Sequence, residues 1–283
     1  MREIFTAAQV REAETELMAT LPEGVLMQRA SFGLSVICAR LLGEVAGGVA
    51  GAQVLLLIGG GNNGGDALFA GAYLRARGAA VNALLLTDNP HAAGAAALRR
   101  AGGTFVSWSD DCLADVGDAD LVIDGLVGIG GSGALREPMV ECVRVVNALA
   151  NAIVSVDIPS GVNADTGAVE GGAIDADLTV TFGALKPGLL LMPGKEFAGA
   201  IHFVDIELES SLGEPVAELL EDEDVADLLR VPSSSDHKYT RGVVEIIAGS
   251  AQYPGAALLT VDGARSAGAG MVRYLERPGI DTT

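Results

Sequence analysis

The sequence predicts an α/β fold: a three-layer, Rossmann-like, mainly parallel sheet, followed by a shorter and incomplete α/β fragment. Three observations carry that expectation. Short branched apolar runs alternate with helical stretches from residue 54 to residue 204, which is the mark of βαβ units. The first of these runs, VLLLI, stops abruptly at a glycine cluster, GGGNNGGD, residues 59–66. Polar residues recur directly after later runs, where ligands gather in open parallel sheets.

Taken in order, the chain opens with an amphipathic helix. Thr6 and Gln9 have capping-box spacing, and Val10, Ala13 and Leu17 recur on one face. A second helix is expected over residues 25–42. Strands are expected at 54–58, 80–86, 121–123, 153–156, 178–182 and 201–204. After the first strand, glycines let the backbone turn tightly, and helix-forming composition covers 67–77. Strand, glycine turn and helix N-terminus together suit an anion, because unpaired backbone N–H groups and the helix dipole both favour one. Gly59, Gly61 and Gly64 satisfy G-x-G-x-x-G, a weak match alone. No Lys-Ser or Lys-Thr follows, so a Walker-type nucleotide-hydrolysing loop is not expected.

Near Glu207 the composition turns acidic and ends in a Pro-Ser-rich patch, which predicts a domain junction. The boundary is placed between residues 212 and 213, giving domains 1–212 and 213–283. The second contains VVEIIAGS, an Ala-rich helical stretch over 255–267, and GMVRYLE, which read as one βαβ unit. One crossover is too little to bury the apolar surface of its own strands.

Composition narrows the function. With 283 residues, 49% of them hydrophobic, the chain can bury a substantial core. Against 18 Lys and Arg stand 37 Asp and Glu, a net charge of −19, which argues against a phosphate-neutralising nucleic-acid surface. Cys38, Cys112 and Cys142 lack C-x-x-C spacing and read as reduced core thiols of a cytoplasmic protein. Acidic residues stand where a signal peptide would be basic and then apolar. No run approaches the roughly 18 apolar residues that cross a bilayer, so neither export nor a membrane partner is expected.

The polar residues that follow the apolar runs are Asn62, Asn63 and Asp66, then Asp124, then Asp157 and Ser160. The flexible loop GIGGSGA, 128–134, adds free backbone donors after Asp124. Asp124 and Asp157 each have an alternative reading as a helix cap or turn residue. Asn63, Asp124 and Ser160 are hard oxygen donors, suited to an alkali or alkaline-earth cation, with an ordinary hydrogen-bonded cluster as the alternative. Asp157 is the best candidate for acid–base work, since a carboxylate in a closed crevice can be tuned toward the working range. Lys186, in FGALKPG, is read as a solvated loop lysine, with an anionic substrate group as its alternative partner. His91, His202 and His237 lack partners at metal spacing, and no G-x-S-x-G motif is present.

These motifs resemble the NAD(P)H-hydrate epimerase family, the YjeF N-terminal domain type. The resemblance rests on GGGNNGGD at 59–66, VIDGLVGIGGSG at 122–133, VDIPSGVNADTG at 156–167, FGALKPG, and PG at 193–194, and covers roughly residues 1–210. It implies an isomerase that interconverts the R and S epimers of hydrated NADH and NADPH. It implies that Asn62, Asn63, Gly64, Gly65 and Asp66 contact that nucleotide, as do Gly128, Ile129, Gly130, Gly131, Ser132, Gly133, Ala134 and Asp157. Potassium at Asn63, Asp124 and Ser160 is likewise implied. One departure is Ala67, where the family commonly has glycine. The tail resembles the start of an ADP-dependent NAD(P)H-hydrate dehydratase domain, a ribokinase-like fold. ADP or ATP would serve only a complete domain of that kind. The N-A-G-T-G-D type motif does not occur in these 283 residues, so dehydratase activity is not expected of them. A homo-oligomer is compatible with the fold type.

Two other readings remain open. Asp88 lies after the second strand at about the interval of a ribose-binding carboxylate, which would suit a dinucleotide-dependent oxidoreductase. A non-catalytic binding scaffold on the same fold is the other.

Overall fold

The computed structural model describes residues 1–109, 113–131, 133–229 and 231–275, and its chain divides into two compact units, Met1–Leu219 and Leu220–Thr283. Cys112 and Ser132 lie outside the described residues.

The first unit is the predicted three-layer α/β fold. Seven parallel strands run in the order β4-β3-β2-β5-β6-β7-β8. They are β2 (Gln53–Ile58), β3 (Ala80–Leu85), β4 (Thr104–Ser107), β5 (Leu121–Gly125), β6 (Ile153–Val156), β7 (Leu178–Phe182) and β8 (Ala200–Val204). Alternation along β2 explains the layering, because successive side chains leave opposite faces of a sheet. Val54, Leu56 and Ile58 join one core with α1 (Ala7–Met18), α2 (Val25–Val45), α3 (Asn62–Ala76) and α4 (Ala92–Ala101). Leu55 and Leu57 join a second core with α6 (Met139–Leu149) through Cys142, Val143, Val145 and Val146. Leu56, Leu57 and Ile58 are each wholly buried. Each such side chain contributes about 2 kcal/mol of transfer free energy.

The predicted capping box opens α1: Gln9 N donates to Thr6 Oγ1 at 3.3 Å and Thr6 N donates to Gln9 Oε1 at 2.9 Å. The helix α2 is long and apolar enough, by length and mean hydropathy, to cross a membrane. Its Leu26, Ala30, Leu34, Cys38 and Leu42 instead line the sheet's core. Burial pushes the Cys38 thiol up to about 12, as suits a core-filling cysteine.

Two expectations need correction. The helix after the glycines begins at Asn62 rather than Ala67, so Asn63, Gly64, Gly65 and Asp66 belong to its first turns. Gly61 is the N-cap and has no side-chain oxygen to give, which leaves the first backbone N–H groups of α3 to other partners. The first unit also runs past residue 212, because β9 (Ala217–Leu219) pairs antiparallel with β1 (Arg2–Ile4).

The second unit contains α8 (Asp222–Leu228) and a parallel pair, β10 (Val243–Ile246) and β11 (Met271–Tyr274), joined through α9 (Gly255–Ser266). Ile246 and Ala257 are its buried hydrophobic residues among those described, while Val231, Ile247, Tyr253, Leu258 and Leu259 are exposed.

Candidate active site

Strand order reverses between β2 and β5: the chain moves from β2 outward to β3 and β4, then returns to β5 on the other side. Such a switch point opens a crevice beyond the strands' C-terminal ends. Here the two strand ends are tied together, with Gly59 N donating to Gly125 O at 3.1 Å. A Cβ on Gly59 would collide with the Leu126 carbonyl, so the approach requires glycine there.

A cavity of about 420 Å³ lies at this crevice. Asn62, Asn63 and Asp66 line it from α3, Gly128, Ile129, Gly130 and Gly131 from the loop after β5, and Asp157 from the end of β6. Arg11, Glu14 and Met18 of α1, with Met27 of α2 and Phe182 of β7, complete much of the wall. A second cavity of about 270 Å³ shares Val127 and Gly131 with the first and takes Gly133, Ala134 and Arg136 into its lining.

The expected residues thus divide by position. Gly64 and Gly65 line neither cavity. They are buried in α3, where a Cβ on Gly64 would strike the Gly59 carbonyl and one on Gly65 would crowd His91 and Met27. His91 accepts from Gly94 N as the cap of α4. Asp88 is exposed and lines neither cavity.

Asp157 is one of two non-glycine residues with positive φ among the described residues, and the one that lines the cavity. Its φ of 65° lies in the left-handed region, which costs a non-glycine residue about 1–3 kcal/mol and marks functional sites in folded proteins. Val180 O accepts from its backbone N–H at 2.7 Å, fixing the turn against β7. Its Oδ1 accepts from Lys186 Nζ at 2.5 Å and from Thr181 Oγ1 at 3.1 Å.

Lys186 overturns the solvated-loop expectation, for it is 0% exposed. Its ammonium donates to Asp157 Oδ1, to Thr181 Oγ1 at 3.0 Å and to Phe182 O at 2.8 Å, which uses all three protons. A buried lysine is tolerated only with such partners. Its partners stand up to 29 residues away in sequence, so nothing local to FGALKPG announced them.

Asp124 is likewise fully buried but does not line the cavity. Four donors reach its carboxylate: Ser155 Oγ at 2.9 Å, Ser160 N at 2.9 Å, Ser160 Oγ at 2.6 Å and Leu126 N at 3.2 Å. Burial raises its pKa, and the hydrogen bonds from Ser160 and Ser155 oppose that rise. Asn63 Nδ2 donates to Val156 O at 2.6 Å, which brings Asn63 to the end of β6 beside the same strands. Asn63, Asp124 and Ser160 therefore gather at adjacent strand ends. The carbonyls of Val127, 3.3 Å from Ser160 Oγ, and of Val156 add oxygens. An all-oxygen donor set of this kind fits a hard, weakly charged cation.

Two further carboxylates face the cavity. Asp66 Oδ1 accepts from Ser31 Oγ at 3.1 Å, and burial raises its pKa well above the ordinary range, with the charges of Asp157 and Glu14 adding to the rise. Glu14 is half-buried. Thr181, Glu14 and Arg11 stand at the site without having been singled out in the sequence, and Lys186, singled out there, stands as a buried ion-pair partner rather than a loop lysine. The spacing of Arg11, Glu14 and Met18 on α1 was the one available signal: it places them on a single helix face.

Comparison with known proteins places this site in a recognisable setting. A family model described as "YjeF-related protein N-terminus" matches residues 23–188. The bifunctional NAD(P)H-hydrate repair enzyme Nnr of Mycobacterium leprae is 45% identical over 275 residues, covering 97% of this chain and 56% of that protein. The chain thus spans about half the length of the bifunctional relatives it matches. An NAD(P)H-hydrate epimerase of Microbacterium testaceum is 41% identical over 213 residues, covering 74% of this chain and 80% of that one. The crystal structure of the yeast protein YNL200c aligns with a TM-score of 0.63 at 20% identity, over 78% of this chain and 98% of that one, a likeness of fold.

Proposed function

The chain belongs to the family of YjeF-related protein N-termini, and from that premise we propose that it epimerises the R and S forms of hydrated NADH and NADPH. The observation that carries the reading is Asp157, a strained, buried carboxylate anchored by Lys186 and opening on the cavity at the switch point. The reacting carbon of the substrate bears a hydroxyl beside a ring nitrogen, and its inversion requires proton transfer. In this reading Asp157 takes part in that transfer, supported by Lys186 and Thr181 holding its Oδ1 in one position.

The hydrated nicotinamide would occupy the larger cavity, against Asn62, Asn63, Asp66 and Asp157. Val127 and Gly131 line both cavities, and the remainder of the dinucleotide would pass from the larger one toward Gly133 and Ala134 in the smaller. An anionic group at the larger cavity would find the unpaired N–H groups at the start of α3. Asn63, Asp124 and Ser160 would hold potassium, whose role is to fix the loop after β5 and offset phosphate charge. A soluble protein of the cytoplasm acting on this small molecule, with a homo-oligomer compatible with the fold type, completes the reading. The tail, Ala256 in α9 included, we read as the beginning of a ribokinase-like dehydratase domain.

The experiment is incubation of one pure epimer of hydrated NADPH with the protein, with potassium and with choline in its place, followed by chiral separation. Appearance of the other epimer, faster with potassium, supports the proposal. An unchanged epimer in both buffers overturns it.

A further inference from the structure

Of the three carboxylates that line the cavity, Asp66, Asp157 and Glu14, the proposed function gives the last no task. Glu14 lines the cavity from α1, while Asp157 lines it from the end of β6. The two are anchored on separate elements, one on a helix outside the sheet and one at a strand end.

Their surroundings differ in a way that matters chemically. Asp157 is tied to the Lys186 ammonium, and Asp66 accepts the Ser31 hydroxyl. Glu14 makes no hydrogen bond or salt bridge among the described residues, so its carboxyl is available to a ligand. The charged groups facing it are Asp157 and Lys186 from the strand ends, Asp66 from α3 and Arg11 on its own helix. Burial raises its pKa most, Asp157 raises it further, and Lys186 and Arg11 oppose the rise. One carboxylate held by an ammonium and another free of such a partner, lining one cavity, present two different proton-transfer groups to a bound ligand.

Inverting a carbinol carbon by dehydration and rehydration needs such a division. One group must protonate the departing hydroxyl, and another must take a proton from the water entering the opposite ring face. We infer that Glu14 is the second proton-transfer group of the site, working with Asp157 as a two-carboxylate pair; the inference rests on the epimerase reading.

In one direction the Glu14 O–H bond breaks and its proton joins the hydroxyl oxygen. The C–O bond then breaks, its electron pair leaving with the oxygen as water, while the ring-nitrogen lone pair forms a C=N⁺ bond. A new water adds from the other face, its oxygen pair forming the new C–O bond as the C=N π pair returns to nitrogen. Its surplus proton passes to Asp157. One water leaves and one enters, and solvent returns the proton from Asp157 to Glu14. The opposite epimer uses the two groups in exchanged roles.

The test uses the whole chain and one pure epimer of hydrated NADPH in H₂¹⁸O. The wild type is expected to place ¹⁸O on the inverted carbon in every turnover. Glu14→Gln is expected to lower kcat by roughly 10²-fold or more with little change in KM. Its residual activity should lack the alkaline limb of the kcat/KM profile, which in the wild type reports loss of the Glu14 proton. Glu14→Asp should restore part of the rate and shift that limb, and this variant carries the test if circular dichroism finds Glu14→Gln unfolded. A Glu14→Gln protein with the wild-type rate and profile, a Glu14→Asp limb that does not move, or inversion that retains ¹⁶O would each overturn the inference alone. A wild type that inverts neither epimer would instead overturn the epimerase reading, and this inference with it.

Discussion

Lys186 Nζ lies 2.5 Å from Asp157 Oδ1, with the two side chains 1% and 7% exposed. A buried ion pair is rarely the most stable use of its volume, because removing both charges from water offsets most of their attraction. Its retention at the wall of a cavity is better explained by what it positions. With Thr181 on the same oxygen, Lys186 holds the carboxylate in a left-handed backbone turn that few residues adopt.

Breaking the pair from one side should therefore be costly. Lys186→Met leaves Asp157 buried beside an apolar chain and is expected to destabilise the protein by roughly 3–5 kcal/mol in urea unfolding. Adding Asp157→Asn should recover at least about 1 kcal/mol of that loss, since the coupled residues are not additive. Strict additivity of the two losses would mean that the pair is not energetically coupled.

A second prediction concerns pH and Asp66. Burial raises its folded-state pKa above the ordinary 3.8, so the folded state binds a proton that the unfolded state has already released. Stability therefore declines as pH rises above about 3.8, and the cost persists at neutral pH. Asp66→Asn should thus be more stable than wild type at pH 7, with the difference shrinking toward pH 3.8. Thermal melts across that range would check it, and a constant difference would contradict it. Nucleotide binding should weaken in the same variant, as is common where site residues oppose stability.

A third follows from how the first loop meets the second. A Cβ at Gly128 would fall on the Asn63 carboxamide, which is held by its bond to Val156 O at 2.6 Å. Either the loop or Asn63 must move, so Gly128→Ala should lower kcat/KM by about tenfold or more, equivalent to about 1.4 kcal/mol. Its melting temperature should fall by only a few degrees, as the change lies at a cavity wall. An unimpaired variant would show that Asn63 need not stand where it does.

Most of the sheet was legible because its strands are buried on both faces and read as continuous apolar runs. VLLLI, LVI and IVSV could hardly be anything else. The edge strand β4, TFVS, is largely exposed and carries no such run, so its pairing with β3 had no local signal. The helix α3 starts earlier than expected for a related reason: Asn-Asn-Gly-Gly has turn propensity, and close packing of Gly64 on Gly59 and of Gly65 on His91 and Met27 overrides it. Asn63, Asp124, Asp157 and Ser160 stand out in the sequence because each follows an apolar run, and the structure gathers them at neighbouring strand ends. The places of Lys186 and Glu14 were not legible, since burial of a lysine and the openness of a helical glutamate depend on partners contributed by distant segments.

The most direct test of the central claim, that Asp157 transfers the proton at the switch-point cavity, compares wild type with Asp157→Asn on one epimer of hydrated NADPH, measuring turnover by chiral chromatography and binding by calorimetry. The account predicts a loss in kcat of roughly 10²–10⁴-fold in the variant, with nucleotide binding still measurable. Turnover at the wild-type rate in a folded Asp157→Asn protein would contradict it.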